Sequence, residues 1–271
     1  MKTVKYVAIL GGGNIGMAIA NGLVNSNLFQ PENIYITKRN LDNTKSFNGN
    51  NFKLSQDNVD AVKKSDIIIL AVQPKQLQEL LQEISPAIII DKHIVISVIS
   101  GASIKVIKDG IGKEVQVVRA MPNTAIAIGE SMTCLSSDSK NNDALKIAEY
   151  IFSPVGKTMI IEEELMVPAT ALCACGIAFF LRAIRAASQG GIEIGFHSED
   201  AIFMAAQTAK GAASLLLNTK SHPESEVDKV TTPRGITISG LNQMEHNGFS
   251  SAMIKGIITS AEKASKLYTK E

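Results

Sequence analysis

A chain of 271 residues can bury a sizeable core, enough for one large domain or two modest ones. With 45% hydrophobic residues and a formal net charge of +1, it offers neither a disordered tail nor an electrostatic footprint for nucleic acid. Cys134, Cys173 and Cys175 are poorly spaced for disulfides, the four histidines lack metal-ligand spacing, and no cationic leader precedes an apolar run; a reducing cytoplasm and no resident metal are expected.

The first element is a short apolar strand, Val7–Leu10, running into Gly11-Gly12-Gly13-Asn14-Ile15-Gly16. This fits G-x-G-x-x-G with Gly11, Gly13 and Gly16 in register. The first glycine turns the chain, the second admits backbone N–H groups to a pyrophosphate, and the third packs helix on strand. A helix over Met17–Asn25 would aim its positive end at the anion, with Asn14 and Ile15 at its start. A glycine-rich turn without a ligand is the alternative. The strand before it, the helix after it and a second strand at Asn33–Thr37 favour a dinucleotide site.

Strands follow at Ile34–Thr37, Ile67–Val72, Ile94–Val98 and Val115–Arg119, with helical spacing over Asn58–Lys64, Lys75–Ile90 and Ser103–Ile111. Two further short strands fall at Ser131–Leu135 and Thr158–Ile161. The alternation predicts a Rossmann-like, doubly wound parallel sheet over residues 1–161. From Glu162 the periodicity is helical, which predicts an all-α domain over residues 162–271. Leu165–Leu181 carries no charge but is short for a membrane span, contains Pro168 and Gly176, and runs into Arg182 and Arg185. A helix buried on all sides in a helical domain or dimer core is the better reading. Ser198 is expected to cap a helix over Ser198–Thr219, and Gly240–Glu245 and Phe249–Leu267 complete the second half.

The turn after the second strand is Thr37-Lys38-Arg39-Asn40, where a hydroxyl and two cations suit a ribose 2′-phosphate better than a free diol. This favours NADP, while Asp42 nearby keeps NAD open. Loops at the carboxyl ends of later strands supply Ala71, Val72, Gln73 and Pro74, then Ser97–Gly101, then Arg119–Thr124 with Asn123. Together these would line the nicotinamide half. Val230–Leu241 places hydroxyls, Pro233 and Gly235 ahead of a helix, a pattern that serves either as a carboxylate cradle or as an ordinary capping turn.

The chain resembles the pyrroline-5-carboxylate reductase family. The match lies in Gly11–Gly16, Leu70–Pro74, Met121–Thr124, Thr170–Leu181 and Val230–Glu245, the last against V-[ST]-[ST]-P-G-G-x-T-x-x-G-L-x-x-[LM]-E. The resemblance implies NADPH-dependent reduction of 1-pyrroline-5-carboxylate to L-proline, with NADH as an alternative hydride source. It implies that the Thr237 hydroxyl bonds the substrate's ring nitrogen and that Thr232 and the N–H groups of Gly235 and Ile236 hold the carboxylate. It places Asn58 on the adenosine ribose and Thr37, Lys38 and Arg39 on the 2′-phosphate. It also implies a homodimer through the helical domains, each site completed by both chains, with further assembly of dimers.

Three positions depart from the family pattern: Arg234 for the first glycine after Pro233, Cys173–Phe179 for S-G-S-G-P-A-Y, and Gln73 for the lysine of A-V-K-P. A protonated cyclic imine is already an electrophile, so positioning suffices and no buried acid–base pair is required. Leu165–Arg185 also lacks the lysine that a β-hydroxyacid dehydrogenase would carry there. The remaining alternatives are a reductase of another cyclic imine acid, such as a six-membered homologue, and a non-catalytic NADP-binding sensor.

Overall fold

The computed structural model describes residues 4–40, 51–138 and 143–266. Asp42 and Leu267 lie outside them. The described chain divides into two compact units, one built from residues up to 175 together with those from 260 onward, the other from Gly176–Thr259.

The first unit is organised by β1, Val7–Leu10, whose four residues are all fully buried. A strand apolar on both faces needs helices on both, the condition of a parallel sheet. β1 is followed by α1 (Asn14–Asn25), β2 (Ile34–Thr37), β3 (Lys53–Ser55), α2 (Asn58–Lys63), β4 (Ile67–Leu70) and α3 (Leu77–Ile84). Then come β5 (Ile94–Ser97), α4 (Ile104–Ile111), β6 (Gln116–Met121), β7 (Ser131–Ser137), α5 (Asp143–Phe152) and β8 (Gly156–Ile160). The eight strands form one sheet in the order β3-β2-β1-β4-β5-β6-β7-β8. All neighbours are parallel except β6 and β7, which pair antiparallel at Val118↔Ser137 through Met121↔Cys134. Val7, Ile9, Ile67 and Ile69 pack with α1 and α5, whereas Ala8, Leu10, Ile68 and Leu70 pack with α2, α3 and α4.

The Rossmann-like reading therefore holds, with several local differences. α1 starts at Asn14, so Gly16 lies inside the helix. The span expected as one helix over Lys75–Ile90 is interrupted: a 3-10 turn at Pro74–Gln76 leads into α3, and another with Pro86 follows it. β3 was not anticipated, being three residues at the sheet edge with Leu54 its one apolar side chain. α5 was also missed, although Ala144, Leu145, Ile147, Ala148, Ile151 and Phe152 make a helical stripe.

β6 carries a buried cation. Arg119 Nη1 meets Glu163 Oε1 at 3.2 Å, and the same oxygen accepts the Ile104 N–H at 2.7 Å. Glu163 thereby joins a strand, a helix start and the 3-10 turn Glu163–Leu165. α6 (Met166–Ala169) and a π-helical turn at Thr170–Cys175 close this part of the first unit.

The second unit contains α7 (Gly176–Glu193), α8 (Ser198–Thr219), α9 (Pro223–Val230), α10 (Ile236–His246) and the start of α11 (Phe249–Ser265). α8 is capped at His197, with Ser198 already helical. α7 and α8 pack together, a Cβ at Gly191 falling 3.1 Å from that of Ala201. The expected all-round burial of the apolar helix is not met in a single chain: α7 buries only Gly176 and Ser188, while Phe180 and Leu181 are exposed. By length and composition Glu163–Glu193 could cross a membrane.

The closest backbone approach in the first unit is testable. A Cβ on Gly16 would sit 2.1 Å from the Gly11 carbonyl oxygen, so α1 would have to lift. Gly16→Ala is expected to cost about 1–3 kcal/mol, read from the urea midpoint. Gly13→Ala, whose Cβ would meet nothing within 4 Å, is expected to lose less than about 1 kcal/mol.

Candidate functional site

A cleft of about 570 Å³ opens at the carboxyl ends of β1, β2 and β4. This is the switch point of the sheet, since the chain leaves β1 for β2 on one side and β4 pairs on the other. Gly11, Gly12 and Gly13 form one wall. The N–H groups of Gly11 and Gly12 both donate to the Thr37 carbonyl, at 3.2 and 2.8 Å, which locks the turn to the end of β2. Gly11 adopts φ +117°, and its Cβ would collide with the Ala71 carbonyl at 2.5 Å.

α1 starts without a side-chain cap and without an acid in its first turn. Its first intrahelical bond runs from Met17 N to Gly13 O, so the N–H groups of Asn14, Ile15 and Gly16 have no acceptor within the helix. Open space over Gly13, uncapped N–H groups and a positive helix end together fit a pyrophosphate. Thr37, Lys38 and Arg39 line the same cleft. Gln56 Nε2 donates to the Arg39 carbonyl at 2.7 Å, and Lys38 N donates to Ser55 O at 3.1 Å, so β3 and its following turn fix the basic loop. Among the described residues neither Lys38 nor Arg39 is drawn into an ion pair, which leaves both cations for an anionic ligand.

The second unit holds the Thr231–Ile236 turn. Gly235 caps α10 with extended backbone and no side-chain bond. Its N–H is used within the turn, donating to Thr232 O at 2.8 Å. The expected contribution of the Gly235 N–H to a carboxylate cradle is therefore corrected: the unpaired donors begin one residue later, at Ile236, Thr237 and Ile238. Gly235 is required sterically, because a Cβ would lie 2.6 Å from Thr232 Oγ1. Arg234 takes the left-handed conformation, φ +60°, at a cost near 1 kcal/mol for a side-chain-bearing residue.

Related proteins of known sequence and structure identify the family. Residues 163–267 match the family described as pyrroline-5-carboxylate reductase dimerisation, and residues 6–101 match NADP oxidoreductase, coenzyme F420-dependent. Pyrroline-5-carboxylate reductase 2 of Dictyostelium discoideum is 48% identical, the alignment covering 98% of this chain and 94% of that protein. The chain belongs to the pyrroline-5-carboxylate reductase family. Pyrroline-5-carboxylate reductase 1 of the same organism is 55% identical over 98% of this chain, which spans about half (50%) of that longer relative. Among solved structures, the NADP-bound Plasmodium falciparum pyrroline carboxylate reductase superposes with a TM-score of 0.89 at 26% identity, covering 98% of this chain and 99% of its own. The Coxiella burnetii pyrroline-5-carboxylate reductase gives 0.85 at 27% identity, covering 99% and 100%.

Of the cofactor residues expected from sequence in this reductase-family chain, Gly11, Gly13, Thr37, Lys38, Arg39, Asn58, Ala71 and Val72 line the cleft. Asn14, Ile15, Gly16 and Pro74 adjoin it in sequence without lining it. Asn123 is committed elsewhere: its Oδ1 accepts from Ala125 N at 3.0 Å and its Nδ2 donates to the Cys173 carbonyl at 3.2 Å. Arg119 likewise turns to Glu163. The sequence reading overlooked Gln56, Gln76, Glu79, Leu80 and Glu83 as lining residues. Glu79, Leu80 and Glu83 belong to α3 and Gln76 to the turn that leads into it; the helical spacing after Gln73-Pro74 was the available signal.

Cys134 and Cys173 pack in one small cluster with Met121, Met166 and Ala169. The Cys134 thiol beside Cys173 lowers its pKa to about 7, while the same pairing and burial raise that of Cys134. Alkylation of Cys173 by iodoacetamide, followed by mass spectrometry, is expected to be half-maximal near pH 7. Cys134→Ala removes the neighbouring thiol and is expected to shift that midpoint up, toward the ordinary thiol value of about 8.5.

Proposed function

We propose that this chain reduces 1-pyrroline-5-carboxylate to L-proline with NADPH, NADH serving as an alternative. The observation that carries the reading is the cleft at the glycine turn, with Lys38 and Arg39, in no ion pair among the described residues, where a 2′-phosphate belongs, in a chain of this family. Gly11, Gly13, Asn14, Ile15 and Gly16 would hold the pyrophosphate; Thr37, Lys38, Arg39 and Asn58 the phosphorylated ribose; and Ala71, Val72 and Pro74 the approach to the nicotinamide, with Asn123, its amide spent on Ala125 and Cys173, shaping the neighbouring loop. When bound, the cofactor supplies the hydride that reaches the imine carbon.

What the chain itself must supply is placement. Thr237 would orient the ring nitrogen through its hydroxyl, and Thr232 with the N–H of Ile236 would hold the carboxylate. A carboxylate on the first turn of α10 gains from uncapped N–H groups and from the helix dipole. The imine arrives protonated, so no side chain has to deliver a proton before hydride addition. The division of labour runs between residues 1–161, for the dinucleotide, and 162–271, for substrate and dimer formation. The match to a dimerisation family over residues 163–267 supports a homodimer, and supports a partner chain as the cover for the exposed apolar face of α7. We propose in addition that dimers assemble into a larger oligomer and, from the cysteine usage, that the location is cytoplasmic.

Loss of NADPH absorbance on adding pyrroline-5-carboxylate tests the activity directly. Fast, substrate-dependent oxidation is expected, slower with a six-membered imine acid; no oxidation despite tight NADPH binding would sink the proposal in favour of a sensor. Thr237→Ala is expected to lower kcat/KM tenfold or more, about 1.4 kcal/mol or above, with the NADPH Kd unchanged. Replacing Lys38 and Arg39 together by alanine is expected to raise KM for NADPH about tenfold or more and to leave KM for NADH within about twofold.

A further inference from the structure

The glycine turn and the β2 loop account for the pyrophosphate and the ribose phosphate. α3 walls another part of the cleft. That helix is amphipathic: Leu77, Leu80, Leu81 and Ile84 face the core, while Glu79 and Glu83, four residues apart on one exposed face, line the cleft. Leu80, almost wholly buried in the core, borders the same cleft. The two acids are not equivalent. Glu83 Oε2 already accepts an N–H from Asn58 Nδ2 at 2.8 Å, which fixes the Asn58 amide. Glu79 has no partner among the described residues.

Resting on the NADP reading above, we propose that Glu79 reads the adenine base of the dinucleotide, its carboxylate accepting an N–H from the exocyclic amine. On the α3 side of the cleft, Glu79 would offer an acceptor for the amine of a base seated there. A carboxylate discriminates sharply here. Adenine presents N–H donors at the six-position, whereas a 6-oxo purine presents a carbonyl oxygen, which a carboxylate repels. The cleft is thus charged for both ends of one adenosine moiety, cationic for the 2′-phosphate and anionic for the amine.

The test is equilibrium binding, by titration calorimetry, of NADPH and of its hypoxanthine analogue to the full chain. The wild type is expected to bind NADPH about tenfold to a hundredfold more tightly, the range for a hydrogen bond to a charged group. Glu79→Gln, whose amide can face either purine, is expected to bring that ratio to about threefold or less. It should leave the melting curve unchanged, since Glu79 is exposed. Equal binding of the two dinucleotides by the wild type, or an unchanged ratio in Glu79→Gln, overturns the inference while leaving the NADP reading intact. Failure to bind NADPH at all overturns both.

Discussion

The structure of the first unit depends on one close backbone approach at the end of β1. Gly11, Gly16 and Ala71 come so near that no Cβ fits at either glycine without striking a carbonyl. This contact brings the start of α1 against the tips of the central strands, and the Thr37 carbonyl completes it by taking two N–H groups from the same turn. Everything that makes the cleft chemically specific hangs on that approach. The uncapped N–H groups point into the switch point only because α1 begins there, and the basic loop faces them because β2 is pinned to the turn.

The two units answer different physical demands. The first presents a cleft suited to a polyanion, lined by uncapped helix N–H groups and by Lys38 and Arg39, neither of them in an ion pair among the described residues. The second offers a helix start that suits a small carboxylate, with Arg234 held in a conformation normally left to glycine. For the proposed reaction no buried acid–base pair is needed, because a protonated imine is already electrophilic. A buried ion pair does exist, Arg119 with Glu163, but its oxygen also receives a backbone N–H from the start of α4, and it joins elements of the first unit. Breaking it would leave a guanidinium largely shut off from water.

Much of this was legible in the chain. The glycine motif, the apolar strands and the alternation of strand and helix identified the doubly wound sheet, because burial on both faces leaves a nearly continuous apolar signature. The basic turn after β2 was equally plain. What was not legible has physical causes. β3 is too short to show alternation. Antiparallel β7 is held by registry with β6, a property of pairing rather than of either sequence. The Asn123 amide sits in a loop that could face a ligand, and its diversion to the Cys173 carbonyl depends on a π-helical turn fifty residues on. The spent N–H of Gly235 follows from a tight turn closed on Thr232, which the motif alone does not reveal. Glu79 and Glu83 read as ordinary surface acids of an amphipathic helix until the sheet places that helix beside the glycine turn.

The central position of β1 has a consequence for how the chain folds during synthesis. β1 needs β2 on one edge and β4 on the other, and β4 begins only at Ile67. On the ribosome, a strand apolar on both faces therefore waits with one edge unpaired until the β4 segment has emerged. Parallel pairing over such separations is slow and leaves a sticky intermediate exposed. The segment that organises the finished structure is, during translation, the one most in need of shelter.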